Sequence, residues 1–91
     1  MNRRIRIRVR GEVQGVSMRY YTKQYAIKLG VFGWVANKPD GSVEIVAEGE
    51  EEALMKLLSF CKTGTKWAKI ARVTEAWEDA TESYEEFRII Y

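Results

Sequence analysis

Hydrophobic and polar residues alternate near both ends of the chain, with the period of two that is typical of a β-strand with one buried face. In the N-terminal segment, isoleucine and valine alternate with arginine up to Gly11. In the C-terminal segment, the alternating apolar positions are Phe87, Ile89 and Tyr91. A longer and less regular strand is predicted from about residue 68 to residue 77. We therefore expect strands at both ends of the chain.

Two internal segments have apolar residues at intervals of three and four, which is the period of an amphipathic helix. The first segment runs from Met18 to Leu29, and Gly30 follows it where a left-handed cap is expected. Its predicted buried stripe consists of Met18, Tyr21, Tyr25 and Leu29. The second segment begins with glutamates, which suit the first turn of a helix, and stops at Gly64. Its predicted stripe consists of Leu54, Leu57, Leu58 and Cys61.

The segment between the two helices predicts a β-hairpin. Residues 31–36 are rich in β-branched and aromatic side chains, Lys38 to Gly41 are typical of a turn, and apolar residues alternate again from Val43. The resulting order is βαββαβ, the split βαβ arrangement, in which an antiparallel sheet carries both helices on one face. We expect one α+β domain over residues 1–91. Because this fold hosts enzymes, RNA-binding modules and metal-binding domains, it does not identify a function.

Composition narrows the possible chemistry. With 46% hydrophobic and 31% charged residues, the 91-residue chain is typical of a soluble globular protein, and it has no apolar run approaching the ~20 residues of a membrane helix. We therefore expect a cytoplasmic protein. The sequence contains no histidine and a single cysteine, Cys61, which excludes His-dependent nucleophilic triads, internal disulfides and Cys or His metal clusters. No metal ion is predicted, and Cys61 is expected to be a buried apolar residue.

The connection between the first strand and the first helix is the strongest candidate for a binding site. Gly11 and Gly15 permit tight bends, and a helix N-terminus supplies unpaired N–H groups and the positive end of the helix dipole. Arg19 can direct a planar, permanently charged guanidinium group to the same place, where it matches the oxygens of a phosphate. From the residues alone, an anion site and a simple turn followed by a solvated arginine are about equal alternatives.

Several short blocks of sequence resemble the acylphosphatase family. The blocks are Gly11-x-Val13-Gln14-Gly15-Val16-x-x-Arg19, Ala26-x-x-Leu29-Gly30, Gly33-Trp34-Val35-x-Asn37 and Asp40-Gly41-x-Val43-Glu44. The resemblance covers nearly the whole chain. It implies a ferredoxin-like α/β sandwich that hydrolyses acyl phosphates to a carboxylate and inorganic phosphate, and that needs no cofactor.

The resemblance also implies roles for individual residues. Arg19 matches the family's phosphate-binding arginine, and Asn37 matches its water-orienting asparagine. The backbone of the family's phosphate loop corresponds to Gln14, Gly15, Val16, Ser17 and Met18. The chain departs from the family pattern at Met18, where phenylalanine is usual, and after Gly64, where Thr-Lys-Trp replaces the common Pro-Pro. The expected partner is a small acyl phosphate; phosphate or sulfate could occupy the site, and we expect a monomer that binds neither nucleic acid nor membranes.

A stripe of arginines supports an alternative function. Its members are Arg4, Arg6, Arg8 and Arg10. They are predicted to lie on the open face of the sheet, so the chain could instead be a non-enzymatic module that binds RNA or another polyanion. Pairing with cross-strand glutamates such as Glu44, Glu48 or Glu86 would neutralise the stripe. We favour pairing, because the net charge of +2 is small for a nucleic-acid-binding protein. The three tryptophans, Trp34, Trp67 and Trp77, are expected to be packing residues.

Overall fold

The structure of the chain is a computed structural model that describes residues 1–15 and 17–91. Within those residues the chain forms five strands and two helices. They are β1 (Asn2–Glu12), α1 (Met18–Leu29), β2 (Phe32–Asn37), β3 (Val43–Glu50), α2 (Glu51–Thr63), β4 (Lys69–Asp79) and β5 (Phe87–Ile90). The predicted α+β class is confirmed. In the part of the chain that the structure describes, neither helix is long and apolar enough to cross a membrane.

The strands form one sheet in the order β4-β1-β3-β2-β5. The first four of these strands pair antiparallel, but β5 pairs parallel with β2, so the sheet is mixed rather than wholly antiparallel. The reason is the direction of the final connection. Strand β4 ends at the end of the sheet where β2 begins, and the chain then crosses to the opposite edge and enters β5 beside the start of β2. As a consequence, β2 and β5 finish at the same end of the molecule.

The hydrophobic core lies between the helices and one face of the sheet. Ile5, Ile7 and Val9 of β1 are fully buried, as the alternation predicted. The predicted stripe of α2 is confirmed, because Leu54, Leu57, Leu58 and Cys61 are its buried residues. Burial raises the pKa of the Cys61 thiol to about 12, so this cysteine is a buried apolar residue, as expected.

Helix α1 faces the sheet through a different set of residues from the predicted stripe. Its buried residues are Met18, Thr22 and Ala26. Tyr25 and Leu29 are partly buried against the core, whereas Tyr21 is 39% exposed. The small side chains of Thr22 and Ala26 let the helix approach the sheet closely, and the larger tyrosines are displaced to its flanks. The prediction that Tyr21 belongs to the buried stripe was therefore wrong.

The arginines on the open face of the sheet are paired with carboxylates. The pairs include Arg4–Glu78 (3.1 Å), Arg6–Glu44 (3.4 Å), Arg8–Glu44 (3.1 Å) and Arg10–Asp40 (3.0 Å). Glu48 lies 3.9 Å from Arg4, so the predicted pairing with Glu44 and Glu48 is confirmed. The pairing predicted for Glu86 was wrong: it contacts Arg88 instead, because β3 and β2 separate β5 from β1.

Candidate active site

A cleft of about 330 Å³ opens at the end of the sandwich where β1, β2 and β5 finish and α1 begins. Its lining residues are Val13, Gly15, Ser17, Met18, Arg19, Tyr20, Asn37, Ile89 and Tyr91. Arg19 and Asn37 are separated by a helix and a strand in the sequence, but the topology brings them to one cleft. Of the predicted phosphate loop, Gly15, Ser17 and Met18 line the same cleft, while Val16 lies outside the described residues.

Arg19 occupies the first turn of α1, and no described carboxylate neutralises its charge. In residues 1–15 and 17–91, no carboxylate lies within ion-pair distance of its guanidinium group, in contrast to the paired arginines of β1. Its guanidinium carbon lies 5.0 Å from the centre of the Tyr91 ring. This distance is within the range of a cation–π contact, which orients a cation without cancelling its charge. Arg19 is therefore available to an anion in the cleft.

Two described residues of the loop before α1 have a left-handed backbone conformation. Gly15 has a φ of 77° and Ser17 a φ of 60°, so both are in the left-handed region. A side chain at position 15 would meet no heavy atom within 4 Å, so backbone conformation rather than space favours glycine there. Ser17 adopts this conformation despite its side chain, at a cost of order 1 kcal/mol. A left-handed residue next to right-handed ones, as Ser17 is next to helix α1, directs backbone N–H groups to one side, where they bind anions.

The N-terminus of α1 is left open for a ligand. Ser17 occupies the N-cap position but makes no capping hydrogen bond through its side chain, and the first turn of the helix contains no acidic residue within the described part of the chain. The N–H groups of a first helical turn lack partners inside the helix, so a ligand can satisfy them. The positive end of the helix dipole and the guanidinium group of Arg19 thus act at the same place.

Asn37 is the last residue of β2, and its side-chain oxygen is an unsatisfied acceptor. Its Oδ1 atom is buried and has no hydrogen-bond partner among the described residues. A buried polar atom without a partner costs about 1–3 kcal/mol, and such atoms are often retained for a function. An amide oxygen at this position can accept a hydrogen bond from a water or from a protonated substrate oxygen.

Gln14 has a structural contact that the sequence did not reveal. Its side-chain Nε2 donates hydrogen bonds to the carbonyl oxygens of Lys38, at 2.8 Å, and Ser42, at 2.9 Å. These carbonyls belong to the β2–β3 connection, directly after Asn37. This contact could not be predicted from the sequence, because the partners of Gln14 lie 24 and 28 residues away and no local pattern links them. The side chain ties the loop of Arg19 to the strand end of Asn37.

The β2–β3 connection is itself fixed by a charged hydrogen-bond network. The Asp40 carboxylate accepts hydrogen bonds from the Ser42 hydroxyl, at 2.6 Å, and from the Ser42 backbone N–H, at 3.0 Å. These bonds from Ser42, assisted by Arg10, hold the pKa of Asp40 well below its usual range. Asp40 therefore stays ionised, and it stabilises the turn that follows Asn37.

Four further residues that line the cleft were not predicted as site residues: Val13, Tyr20, Ile89 and Tyr91. The alternation at residues 87–91 predicted a strand, but it did not indicate which strand is its neighbour. In the structure, Ile90 lies opposite Ala36, so the residues that end β5 lie beside Asn37. Tyr20 could not be assigned because it is exposed and lies outside the apolar stripe of α1.

Comparison with known proteins identifies the family. The model of the acylphosphatase family matches residues 5–89. The chain belongs to the acylphosphatase family. It is 45% identical to the acylphosphatase of Caldanaerobacter subterraneus subsp. tengcongensis, in an alignment covering 98% of this chain and 99% of the relative. It is 44% identical to the acylphosphatase of Methanothrix thermoacetophila, with 96% of both chains covered.

Solved acylphosphatase structures have the same fold. The crystal structure of acylphosphatase from Bacillus subtilis is similar with a TM-score of 0.93 and 38% identity, covering 98% of this chain and 99% of that one. The acylphosphatase from Coxiella burnetii is similar with a TM-score of 0.91 and 35% identity, covering 98% and 93%. The resemblance predicted from the sequence blocks is confirmed. The chain is therefore a hydrolase that acts on the acid-anhydride bond of acyl phosphates.

A domain of a larger protein is also similar. Full-length HypF, solved in a phosphate- and nucleotide-bound form, matches with a TM-score of 0.92 and 25% identity. The match covers 100% of this chain and 12% of HypF. The acylphosphatase fold thus also occurs as a part of a much longer chain.

Proposed function

We propose that Arg19 and the backbone N–H groups of residues 14–18 bind the phosphoryl group of an acyl phosphate, and that Asn37 orients the attacking water. The observation that supports this proposal is that two residues with an unsatisfied polar group line one cleft. Arg19 is a cation with no carboxylate partner among the described residues, and the Oδ1 atom of Asn37 is a buried acceptor with no partner there. The Arg19 guanidinium group can bind the phosphoryl oxygens, and Asn37 Oδ1 can accept a hydrogen bond from a water.

In the bound complex, the guanidinium fork of Arg19 pairs with two phosphoryl oxygens, and loop and helix N–H groups hold the remaining charge. The charge on these oxygens changes as the phosphorus–oxygen bond breaks. Donors fixed before the reaction therefore stabilise the transition state without reorganisation, and each contributes about 100- to 1,000-fold to the rate. The Tyr91 ring and the first turn of α1 keep the guanidinium group in place.

In the chemical step, Asn37 accepts a hydrogen bond from the water and holds its oxygen in line with the bond to be broken. The water oxygen bonds to phosphorus, the bond from phosphorus to the acyl oxygen breaks, and the carboxylate leaves with that electron pair. No histidine or carboxylate side chain lines the cleft among the described residues, so the proton passes to a phosphoryl oxygen of the substrate. A carboxylate is already a good leaving group, which is why this site operates with few side chains.

We also infer that the physiological substrate is a small acyl phosphate and that the protein acts as a cytoplasmic monomer that does not bind nucleic acid. The arginines of β1 support the absence of nucleic-acid binding, because carboxylates of β3, β4 and the β2–β3 turn pair with them. A face neutralised in this way lacks the basic stripe that polyanion binding requires. We therefore do not adopt the alternative of an RNA-binding module.

The experiment that tests the proposal separates phosphate binding from water positioning. Inorganic phosphate serves as the probe in calorimetric titration, and kcat is measured with acetyl phosphate. Arg19→Ala should weaken phosphate binding by at least about 100-fold, since it removes a charge-assisted bidentate contact. Asn37→Ala should bind phosphate within a few-fold of the wild type, while its kcat falls by about 100- to 1,000-fold.

Matched controls are available elsewhere on the surface. Arg88→Ala removes an exposed arginine of β5 whose ion pair is with Glu86, and Asn2→Ala removes an exposed asparagine of β1. Both variants should behave as the wild type in binding and turnover. The proposed roles are wrong if Asn37→Ala loses phosphate affinity as severely as Arg19→Ala, or if it retains the wild-type kcat.

A further inference from the structure

Three aromatic side chains form a continuous strip that starts in the cleft. The members of this aromatic strip are Tyr20, Tyr21 and Trp67. Tyr20 lines the cleft beside Arg19, and its ring meets the ring of Tyr21 edge-on with centroids 5.2 Å apart. The Tyr21 ring in turn stacks on Trp67 at 6.1 Å with an interplanar angle of 27°. The strip thus connects the first turn of α1 to the loop between α2 and β4.

The strip lies at the catalytic end of the molecule. Strand β4 begins opposite Glu12, at the end of β1 from which the phosphate loop departs, so the loop that carries Trp67 is at the same end of the sandwich as Arg19 and Asn37. Core packing does not explain its position, because Tyr20 is 53% and Trp67 54% exposed. Trp67 packs against Tyr21, but about half of its surface remains open to solvent. Exposed aromatic residues grouped beside a cleft are typical of a contact surface for a ligand.

We propose that Tyr20, held in position by Tyr21 and Trp67, contacts the acyl portion of the substrate and favours acyl phosphates with an aromatic acyl group. This inference rests on the proposed function, because the phosphoryl group must lie against Arg19 for the acyl group to reach Tyr20. The two residues are neighbours at the start of α1, and both line the same cleft. A substrate anchored at its phosphoryl end therefore projects its acyl end along the remaining wall.

Among the described aromatic residues near the cleft, Tyr20 is the one that lines the cleft and contacts only another ring of the strip. The Tyr91 ring is engaged by the guanidinium group of Arg19. Trp67 is engaged by Tyr21 and by Lys66, whose amino group lies 5.0 Å from the ring centre. Tyr20 contacts only the ring of Tyr21 among the aromatic contacts of the described residues. Tyr21 and Trp67 are therefore positioning residues, and Tyr20 determines specificity.

The test compares kcat/KM for benzoyl phosphate with kcat/KM for acetyl phosphate, two substrates that share the phosphoryl group and differ in the acyl group. An aromatic contact of this kind corresponds to about a 2- to 10-fold preference. Tyr20→Ala should lower the ratio of the two values by about that factor, and Tyr20→Phe should preserve it. Trp67→Ala should lower the ratio less than Tyr20→Ala, because it removes the support and leaves the contact itself.

The control is Phe32→Ala, which truncates an aromatic side chain that is 44% exposed at the opposite end of β2 from Asn37 and should not change the ratio. Circular dichroism checks that each variant is folded. An unchanged ratio in folded Tyr20→Ala overturns this inference alone, since the enzyme would still hydrolyse both compounds. If the wild type hydrolyses neither compound, the proposed function is wrong and the inference falls with it.

Discussion

The side-chain amide of Gln14 donates hydrogen bonds to the backbone carbonyl of Lys38, at 2.8 Å, and to that of Ser42, at 2.9 Å. Lys38 directly follows Asn37, and Gln14 belongs to the loop that leads to Arg19. The two parts of the proposed site, one for phosphate and one for water, are therefore joined by a single side chain. Productive attack requires the water and the phosphorus to be aligned to within a fraction of an ångström, so this link should affect catalysis more than folding.

We expect Gln14→Glu to lower kcat by about 10- to 100-fold, because a carboxylate has nearly the same shape but cannot donate to either carbonyl. The loss in stability should be only about 1 kcal/mol, since Lys38 and Ser42 carbonyls keep backbone partners in Gly41 and Lys38. Steady-state kinetics and urea unfolding measure the two effects. Gln24→Glu, on the exposed side of α1, is the control. A stability loss that accounts for the whole fall in activity would contradict the positioning role.

Tyr91 should act on substrate affinity through Arg19. Because its ring lies 5.0 Å from the guanidinium carbon, Tyr91→Ala frees the arginine side chain to sample other rotamers. We predict that KM for an acyl phosphate rises by about 2- to 5-fold while kcat changes little. Tyr91→Phe keeps the ring and should match the wild type. The same rise in KM for Tyr91→Phe would show that the hydroxyl group, and not the ring, matters.

Glu48 is a buried carboxylate that holds the connection between β4 and β5. It accepts hydrogen bonds from the Thr81 N–H at 2.9 Å, the Thr81 hydroxyl at 2.8 Å and the Glu82 N–H at 2.7 Å. Burial alone would raise the pKa of Glu48, but these bonds, with a contribution from Arg4, outweigh it and lower the pKa below its ordinary value. The ionised form is therefore more stable in the folded protein than in the unfolded chain.

This shift predicts a loss of stability in acid. A group whose pKa is lower in the folded state stabilises the protein at pH values above its unfolded pKa, and this stabilisation disappears as the pH falls through the folded pKa. Glu48→Gln should cost about 1–3 kcal/mol at pH 7 and flatten the pH dependence of the unfolding free energy below about pH 5. Urea unfolding across the pH range tests this, with the exposed Glu85→Gln as control. An unchanged acid slope in Glu48→Gln would contradict it.

The position of attack can be followed with labelled water. If Asn37 directs the water to phosphorus, hydrolysis of benzoyl phosphate in water enriched in oxygen-18 should place the label in inorganic phosphate and leave the benzoate unlabelled. Mass spectrometry of both products, with spontaneous hydrolysis run in parallel, decides the point. Label in the benzoate would mean attack at the carbonyl carbon, which the proposed arrangement of Asn37 and Arg19 does not produce.

Much of the fold was predictable because local periodicity and burial agree in this chain. Leu54, Leu57, Leu58 and Cys61 are the buried residues of α2, as their spacing indicated. The predicted buried stripe of α1 was wrong at Tyr21. Small residues of the helix pack closest to the sheet, and Tyr21 lies at the side of the helix, where it is partly exposed. The parallel pairing of β5 with β2 also escaped prediction. Periodicity shows that a segment is a strand, but it contains no information about which edge the strand joins.

The candidate site likewise contains residues that the sequence predicted and contacts that only the structure reveals. Gly15, Arg19 and the strand-end Asn37 were predicted as site residues from blocks that resemble the acylphosphatase family, and they line one cleft. The contacts of Gln14 and Tyr91 were not, because each depends on residues far away in the sequence that only the folded chain brings near. Tyr20 was missed for a further reason: an exposed aromatic residue has no periodic signature, and its contact with Tyr21 and, through it, with Trp67 depends on how α1 and the α2–β4 loop meet.

The most direct test of the roles proposed for Arg19 and Asn37 is the release of inorganic phosphate from benzoyl phosphate by the wild type, Arg19→Ala and Asn37→Ala, each shown to be folded by circular dichroism. We expect turnover by the wild type well above spontaneous hydrolysis, and a loss of at least about 100-fold in kcat/KM in both variants. A folded wild type that releases phosphate no faster than the buffer, or a folded Arg19→Ala variant that retains wild-type activity, would contradict these roles.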